Sequence, residues 1–515
     1  MDTYFASLVE KHAREIPNRI AVIDVDGTEK TWKEFSDDVT RLSNSLLGLG
    51  LKKGDKIATI MYNGYEYYTV FMAAATIGLV VVGLDHRFTI QEAADLCERT
   101  SPKLIISTNY SVSELAEKVN IEHVYVYQDD KDYPGALLYE NLVKEGSTNA
   151  IPEELKPSVD DPLIIIFTSG TTGNPKGGMI THRNTWHISK NSCDSWEFTS
   201  DDKVMCYLPT SHVGCTHDQI TLAVYCGATG ICMQRFSPDN LMAIMEKHKA
   251  TYIVTVPTIF RLLLLNVDFS KYDTTAMRCL VLSGEAVSAE LANSVNKYFP
   301  NALVASSWGM TETAGFFTLT LLRDSMQLVA DTEGAPRGNN SMKALKEDRT
   351  WAEVGELGEL CITGPQVIPG YMDEKDNVGT FFKKDGKRWM KTGDTGYMDE
   401  RGYMHFVGRN KEMYISGGYN VYPPEIEGYL GAHPKINAAA VLGIPDPVWG
   451  EIGYAFIQPE ENVELDVEEV LLYCKEGLAD YKRPKRIFIR TDIPKTPIGK
   501  IEKKTLKNNL ERYTS

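Results

Sequence analysis

The sequence lacks the cysteine patterns that mark disulfide-rich and zinc-binding proteins. It has nine cysteines among 515 residues, an odd number, and no two of them form a C-x-x-C pair. We therefore expect neither a disulfide framework nor a structural zinc site. Free thiols in this number favour a reducing compartment, so the expected location is the cytoplasm.

An excess of positive charge is also absent. The chain has 54 basic and 70 acidic side chains, which gives a formal net charge of −16. This balance argues against a general nucleic-acid binder and against a protein that adheres to membranes through basic residues. If such a chain binds an anion, it must do so with a few well-placed groups.

Long apolar runs are rare. The first residues, MDTYFASLVEKHAREIPNRIAV, are amphipathic and charged, unlike a secretory signal. The most apolar stretch runs from Tyr68 to Leu84, at the lower limit of length for a membrane span. Gly78 divides it into an alanine-rich half and a β-branched half, which favours a buried helix followed by a buried strand. Stable membrane insertion is therefore not expected.

The remaining composition is that of a large globular protein. Hydrophobic residues make up 43% and charged residues 24% of the chain, and neither a solenoid repeat nor a low-complexity tract is present. Helical and strand-like segments alternate over residues 1–160 and again over 162–300, which predicts βαβ units and an α/β fold with mainly parallel sheets. The pattern of predicted helices, strands and turns changes after about Arg409. We therefore predict a large body over residues 1–410 and a small α+β lid over residues 411–515.

The strongest motif is LIIIFTSGTTGNPKGGMITH, from Leu163 to His182. An apolar strand precedes a loop that is rich in hydroxyl groups and glycine and that contains Lys176. Glycine allows the backbone to approach a phosphate closely, and the hydroxyls and the lysine add hydrogen bonds and charge. The loop is not a Walker A sequence, because Pro175 and Gly177 flank the lysine. A polyphosphate loop is favoured over a plain surface loop.

Three further motifs are weak individually. SSWGMTETAG (306–315) offers a tryptophan ring for stacking, a threonine for a phosphate oxygen and Glu312 as an oxygen ligand for Mg²⁺, although Thr311 also suits a helix N-cap. Asp394 and Arg409 bracket a strand and can reach one ribose, or they are an ordinary turn aspartate and strand-end arginine. Lys500 lies in a glycine turn of the basic tail, where a lysine can be delivered to a phosphate.

Taken together, in this order, the four motifs resemble the ANL superfamily of adenylate-forming enzymes, over residues 5–508. The superfamily comprises acyl- and aryl-CoA synthetases, adenylation domains of peptide synthetases, and beetle luciferases. The resemblance implies a large N-terminal domain of βαβ sheets with a distorted β-barrel, and a small mobile α+β C-terminal domain. It also implies ATP and AMP, Mg²⁺ and coenzyme A as cofactors and substrates.

The resemblance assigns roles to individual residues. For the β- and γ-phosphates of ATP these are Thr168, Ser169, Gly170, Thr171, Thr172, Gly173 and Lys176. Gly284, Glu285 and Ala286 correspond to the loop beside adenine, and Trp308 to an aromatic residue that packs on it, with Ser307, Gly309 and Met310 in the same motif. Thr311 corresponds to the α-phosphate contact, Glu312 to the Mg²⁺ ligand, and Asp394 and Arg409 to the ribose contacts. Lys411 corresponds to the hinge, Lys500 to the adenylation lysine, and Gly417 and Gly418 to the channel for the pantetheine arm.

Two details concern this chain in particular. Tyrosine is more common at the position of Trp308, so stacking is retained while the hydrogen bond of a phenol is in question. Lys503, Lys504 and Lys507, which follow Lys500, are expected to be ordinary solvated residues of the tail.

The segment CYLPTSHVG (206–214) resembles the motif that lines the acyl pocket. His212 takes the place of the pocket histidine or aromatic residue, and it joins Lys500, Thr311 and Glu312 as a candidate catalytic residue. A structural role for this histidine is the alternative. The candidate pocket residues are His212, Val213, Gly214, Cys215, His217, Gly309, Ala314 and Gly315. Because they are mostly small and apolar, they favour an uncharged acid of moderate size: medium-chain, alicyclic or aromatic.

The resulting hypothesis is an AMP-forming acyl-CoA synthetase, an acid–thiol ligase that works as a monomer or homodimer. One alternative is a stand-alone adenylation enzyme that loads a carrier protein. The absence of a carrier domain within the 15 residues after Lys500 favours free CoA. A luciferase-like oxidase and, in a different class, an inactive nucleotide-binding module are the other possibilities.

Overall fold

The structure is a computed structural model. It describes residues 4–107, 112–121, 123–126, 137–168, 175–284, 287, 289–409, 412–416, 419–478, 480–495 and 501–514. Within these ranges, no helix combines the length and the apolar composition that a membrane crossing requires.

Two mainly parallel sheets form the larger part of the molecule, as expected. The seven-stranded sheet has the order β7-β6-β5-β3-β4-β8-β9, and only the pair β8–β9 is antiparallel. With strands numbered along the chain, it contains β3 (Lys56–Ile60), β4 (Val80–Gly83), β5 (Leu104–Ser107), β6 (His123–Val126), β7 (Leu137–Leu138), β8 (Pro162–Thr168) and β9 (Lys176–Thr181).

The nine-stranded sheet joins the start of the chain to its middle. Its order is β16-β15-β14-β13-β12-β10-β11-β1-β2, with antiparallel pairs at both ends. The strands are β1 (Ile20–Ile23), β2 (Glu29–Thr31), β10 (Lys203–Cys206), β11 (Thr229–Cys232), β12 (Tyr252–Thr255), β13 (Cys279–Ser283), β14 (Leu303–Met310), β15 (Gly315–Leu319) and β16 (Ala335–Pro336).

A curled antiparallel sheet occupies the place of the expected distorted β-barrel. The long strand β20 organises it, because it pairs with β18, β19 and β21 along different parts of its length. The strands are β17 (Ser341–Leu345), β18 (Gly358–Thr363), β19 (Phe381–Lys384), β20 (Lys387–Met398) and β21 (Met404–Arg409).

A fourth sheet lies after residue 412 and has its own core. It has the order β23-β22-β25-β24, with β26 parallel to β25. Its strands are β22 (Tyr414–Ser416), β23 (Tyr419–Val421), β24 (Ile436–Asp446), β25 (Gly450–Pro459) and β26 (Arg486–Ile489). Buried residues of this sheet pack on helices of the same segment, which agrees with the α+β character predicted for this region.

The helices cover the sheet faces. They are α1 (Ser7–Glu15), α2 (Trp32–Gly48), α3 (Tyr65–Thr76), α4 (Ile90–Thr100), α5 (Val112–Val119), α6 (Tyr139–Glu145), α7 (His182–Ser195), α8 (Val213–Cys215), α9 (Thr221–Cys226), α10 (Pro238–His248), α11 (Pro257–Asn266), α12 (Ala289–Tyr298), α13 (Met326–Asp331), α14 (Glu374–Asn377), α15 (Pro423–Gly431), α16 (Val467–Gly477), α17 (Lys503–Asn508) and α18 (Leu510–Thr514). A π-helix spans Thr216–Ile220, and short 3₁₀ turns cover Glu153–Leu155, Phe269–Lys271, Thr311–Thr313 and Asp480–Lys482.

Helix α3 shows why the apolar run from Tyr68 to Leu84 is part of a core. Almost all of its side chains are buried, and they belong to one cluster with residues of both parallel sheets, such as Val22 and Ile57. Gly78 adopts a positive φ of 68° between the helix and β4, a conformation that glycine reaches without strain. The run is therefore a buried helix followed by a buried strand, as predicted.

Candidate functional site

The predicted phosphate loop connects two antiparallel strands. Strand β8 ends at Thr168, directly opposite Lys176 at the start of β9, and the Thr168 hydroxyl donates to the Lys176 carbonyl at 3.5 Å. Arg99 of α4 donates to the carbonyl of Pro175 at 2.8 Å. Lys176 is therefore fixed at the base of the loop. The other predicted loop residues, Ser169, Gly170, Thr171, Thr172 and Gly173, lie outside the described residues.

Lys176 and Glu312 lie on either side of Tyr371. The Lys176 ammonium is 4.8 Å from the centroid of the tyrosine ring and donates to the carbonyl of Asp376 at 3.4 Å. The Tyr371 hydroxyl donates to Glu312 Oε1. These three residues, which we call the phosphate cluster, come from the start of β9, the turn after β14 and the segment after β18. A cation, a phenol and a carboxylate thus meet in one place.

Tyr371 was not found by sequence reasoning. It reaches the site because its backbone forms a bridge to Gly178 of β9, and Met372 donates to the carbonyl of Gly177 at 2.8 Å. Nothing in the local pattern around Tyr371 indicated this pairing, which joins segments almost 200 residues apart in the chain.

Glu312 is suited to a divalent cation. It is only 5% exposed, and burial raises the pKa of its carboxyl group, although the hydrogen bond from Tyr371 and the charges of Lys176 and Arg409 oppose this rise. A bound cation would offset the cost of burying the carboxylate. Within the described ranges no group of three acidic, histidine or cysteine side chains could hold a metal. A single buried carboxylate such as Glu312 fits Mg²⁺, which takes few protein ligands and completes its shell with phosphates and water.

A second group, the ribose cluster, consists of Trp308, Asp394 and Arg409. The indole N–H of Trp308 donates to Asp394 Oδ2 at 2.9 Å, and Arg409 Nε lies 3.4 Å from Asp394 Oδ1. Asp394 and Arg409 face each other in the pair β20–β21. Asp394 is 6% exposed, whereas the Arg409 side chain is 62% exposed. The half-buried indole thus provides a hydrogen-bond donor to the buried carboxylate of Asp394.

The end of β14 brings the two clusters together. Trp308 is followed by Gly309, Met310 and the turn that carries Thr311 and Glu312. A Cβ atom at Gly309 would overlap the carbonyl of Gly315, so only glycine fits there. The Thr311 methyl group lies 3.2 Å from where a Cβ of Gly178 would stand, which places Thr311 against the strand of the phosphate loop.

The loop after β13 lies beside β14. Ser283 donates to the carbonyl of Ser307 at 2.8 Å, and Gly284 follows with a positive φ of 87°. The hydroxyl of Ser307 is buried and has no partner among the described residues. The other two residues predicted beside adenine, Glu285 and Ala286, lie outside the described part of the chain.

His212 caps the short helix α8. Its Nδ1 accepts the backbone N–H of Gly214 at 3.0 Å, and the residue as a whole is exposed. Of the other candidate pocket residues, His217 is completely buried and contacts Thr185 and Thr216 at 3.1 Å and 2.9 Å through its two ring nitrogens. Burial lowers the pKa of His217 to about 3, so this ring is neutral. It belongs to the core on the α7 side.

Asp218, the next residue, was missed by sequence reasoning. Its Oδ1 accepts the N–H of Phe316 at 3.2 Å, and a Cβ at Gly315 would overlap the same oxygen. The only signal in the sequence is one acidic residue within the apolar segment VGCTHDQITLAVYC.

The C-terminal predictions are only partly covered. Lys411, Gly417, Gly418 and Lys500 lie outside the described residues. Lys503 is described, and the expectation that it is solvated is wrong. Its ammonium lies 2.8 Å from Glu427 Oε1 and also pairs with Glu412. Burial favours the uncharged lysine, but the two carboxylates outweigh it and raise the pKa of Lys503. This ion triad ties the start of α17 to α15 and to the segment that leads into β22.

Comparison with known proteins identifies the family. The profile described as AMP-binding enzyme matches residues 9–372, and the profile described as AMP-binding enzyme C-terminal domain matches residues 425–500. The putative acyl-CoA synthetase YngI of Bacillus subtilis is 31% identical, over 97% of this chain and 96% of its own length.

Two other similarities are as extensive. The 3-[(3aS,4S,7aS)-7a-methyl-1,5-dioxo-octahydro-1H-inden-4-yl]propanoyl:CoA ligase of Rhodococcus jostii is 29% identical over 97% of this chain and 98% of its own length. The solved structure of o-succinylbenzoate coenzyme A synthetase (MenE) from Bacillus subtilis, in complex with ATP and a magnesium ion, is 26% identical, with a TM-score of 0.85 over 99% of this chain and 100% of that one. The chain therefore belongs to the ANL superfamily of adenylate-forming enzymes, within its AMP-forming acyl-CoA synthetases.

Proposed function

We propose that this synthetase holds one ATP molecule between the phosphate cluster and the ribose cluster, and that it activates a medium-chain, alicyclic or aromatic acid. The observation that carries the proposal is the position of Thr311 and Glu312. Both residues follow Trp308 in the chain by one turn. The Trp308 indole donates to Asp394, and the Tyr371 ring lies between Glu312 and Lys176. A nucleotide with its base at Trp308 would direct its phosphates toward Lys176.

In the first half-reaction the substrate carboxylate attacks the α-phosphorus of ATP, and pyrophosphate leaves with the electrons of the broken P–O bond. The products are an acyl-adenylate and pyrophosphate. Lys176 and Lys500 offset the negative charge that builds up when an anion meets a polyphosphate, and Thr311 donates to an α-phosphate oxygen. Glu312 would hold Mg²⁺, which supplies further charge neutralisation when bound.

In the second half-reaction the thiolate of CoA attacks the acyl carbonyl, and AMP leaves, which yields the thioester. We assign residues 1–410 to the body and residues 411–515 to a lid that turns about Lys411 between the two steps. This rotation of the lid withdraws Lys500 and brings Gly417 and Gly418 to the channel for the slim pantetheine arm. The closed lid protects the acyl-adenylate from water.

The choice of acid rests on the residues after His212. Val213, Cys215 and Ala314 are buried and small, which suits an apolar body of moderate size. The Rhodococcus jostii ligase named above is a precedent for such an acid, because its name specifies a propanoyl group that carries a fused bicyclic ring. His212 would line the entrance of the pocket while it caps α8.

The proposal also covers the location and the oligomeric state of the protein. The nine cysteines are all free, and eight of them are buried, which supports the cytoplasm as the location. We also expect a monomer or homodimer, and light scattering of the purified enzyme measures which one forms.

The decisive experiment follows pyrophosphate release with a panel of carboxylic acids, in the presence and absence of CoA, and detects the thioester by mass spectrometry. We expect release with moderate-sized uncharged acids and a thioester only when CoA is added. Formation of acyl-adenylate without any thioester, together with transfer to a carrier protein, would instead favour a carrier-loading enzyme. If oxygen-18 in the acid carboxylate never entered AMP, the adenylate mechanism would be refuted.

A further inference from the structure

We propose that Asp218 determines the substrate class: its carboxylate accepts a hydrogen bond from a hydroxyl or amino group at the far end of the acid. This inference rests on the proposed function, because it places the acid beside Gly309 and Gly315. With this inference, the proposed acyl pocket is no longer purely apolar, because it ends in a buried hydrogen-bond acceptor.

Asp218 is a buried acid whose carboxyl group has few hydrogen-bond donors among the described residues. The residue is 5% exposed, and the Phe316 N–H is the one hydrogen-bond donor that the described part of the chain offers to its carboxylate. An ionised carboxylate can accept about four hydrogen bonds. No basic side chain among the described residues pairs with it, and burial raises the pKa of this carboxyl well above its usual range. Burial therefore favours the protonated, uncharged acid in the free enzyme, and a donor on a bound ligand would favour the ionised carboxylate that accepts its hydrogen bond.

The position of the carboxylate connects it to the reaction. Phe316 lies opposite Gly309 in the pair β14–β15, and Gly315 lies opposite Met310. Asp218 contacts this pair at the residues directly after the turn that carries Thr311 and Glu312. The absence of a side chain at Gly315 lets the oxygen approach the strand so closely. The carboxylate therefore lies at the same end of the strand pair as the candidate phosphate and adenine contacts.

The local backbone supports a ligand site. Asp218 lies in the π-helix Thr216–Ile220, and single π-helical turns are frequent at functional sites. The adjacent Gln219 has a buried Nε2 without a partner in the described ranges, although its Oε1 accepts the N–H groups of Tyr207 and Leu208. Next to Asp218, Gln219 thus keeps one buried polar atom without a partner in the described ranges, whereas both ring nitrogens of His217 have partners.

The test uses three pairs of acids of matched shape with the full-length enzyme, ATP and CoA. The pairs are 4-hydroxyphenylpropanoate with 4-methylphenylpropanoate, 4-aminobenzoate with 4-methylbenzoate, and 8-hydroxyoctanoate with nonanoate. We expect the donor-bearing member of at least one pair to have a kcat/KM about 10- to 100-fold higher, as a hydrogen bond to a charged group predicts. The hydroxyl and amino pairs distinguish the two donors.

Two variants connect the preference to the residue. Asp218→Asn keeps an oxygen for the Phe316 N–H and nearly the same shape, so the fold is retained while the charge is lost. We expect it to reduce the donor preference to within about 3-fold. Asp218→Leu should favour the methyl-bearing acids, and the KM for ATP should not change in either variant.

Three results would overturn the inference. If the wild-type enzyme prefers the methyl-bearing acid in all three pairs, or if Asp218→Asn keeps the full donor preference, Asp218 serves only as the acceptor for Phe316. If none of the six acids releases pyrophosphate, the proposed substrate class fails first, and this inference fails with it. If only the methyl-bearing acids are activated, the inference about Asp218 fails while the proposed function holds, so the two failures are distinguishable.

Discussion

Replacement of Lys503 by methionine tests whether the ion triad holds the C-terminal helix in place. Methionine fills much of the same space but leaves Glu412 and Glu427 without their shared cation. Glu427 also accepts the N–H of Val441 at 2.6 Å, so it cannot turn outward without the loss of another bond. We therefore expect α17 to separate from α15 more easily.

The size of the effect follows from burial. Breaking a fully buried ion pair costs about 3–5 kcal/mol. The side chains of Lys503 and Glu427 are 22% and 17% exposed, so water screens part of the interaction. We take about 2–4 kcal/mol for the local opening of the helix after this discount for screening. That value corresponds to hydrogen exchange about 30- to 700-fold faster in the amides of α17.

The effect should depend on pH. Burial raises the pKa of Glu427, although the charge of Lys503 opposes this rise. A carboxyl group whose pKa is raised in the folded state favours folding at low pH, and this contribution is lost as the pH rises through the folded-state pKa. Without Lys503 the pKa rises further. The variant should therefore lose more stability at about pH 8 than at about pH 5.

The assay is hydrogen exchange monitored by mass spectrometry over the C-terminal peptides at both pH values, after correction for the intrinsic rate. Lys504→Met is the matched control, because Lys504 is the exposed neighbour in the same helix. Lys503→Arg keeps the charge and should restore protection. If Lys503→Met exchanges within about 3-fold of the Lys504→Met control at both pH values, the triad does not stabilise the helix.

Three other substitutions test the proposed nucleotide site. Lys500→Ala should slow acid-dependent pyrophosphate release about 10²- to 10³-fold but spare thioester formation from supplied acyl-adenylate, since only adenylation needs the lysine charge; equal losses in both half-reactions would contradict this role. Asp394→Ala should raise the KM for ATP above all, because it removes the ribose acceptor, and an unchanged value would exclude that assignment. Trp308→Phe keeps a ring for stacking but removes the donor to Asp394, so we expect the Kd for ATP, measured calorimetrically, to rise about 10-fold; the KM for the acid serves as the internal control.

Much of this protein follows from local sequence. The alanine-rich half of the apolar run that starts at Tyr68 forms part of helix α3, as predicted, because an apolar, alanine-rich stretch that ends near Gly78 has few other stable conformations. The apolar strand before the phosphate loop also forms where the pattern indicates. The order of the motifs was sufficient to indicate the family, since each motif is contiguous.

The tertiary structure alone decided which side chains meet. Tyr371 reaches Glu312 through a strand bridge to Gly178, Trp308 donates to Asp394 from another sheet, and Asp218 approaches Gly315 because that residue has no side chain. Lys503 is a basic residue in a basic tail, and only the packing of α17 brings two carboxylates to it. Local propensity depends on neighbours within a few residues, whereas these contacts join segments about 60 to 200 residues apart. Their pairing depends on how the sheets and helices pack, and that packing cannot be read from any single segment.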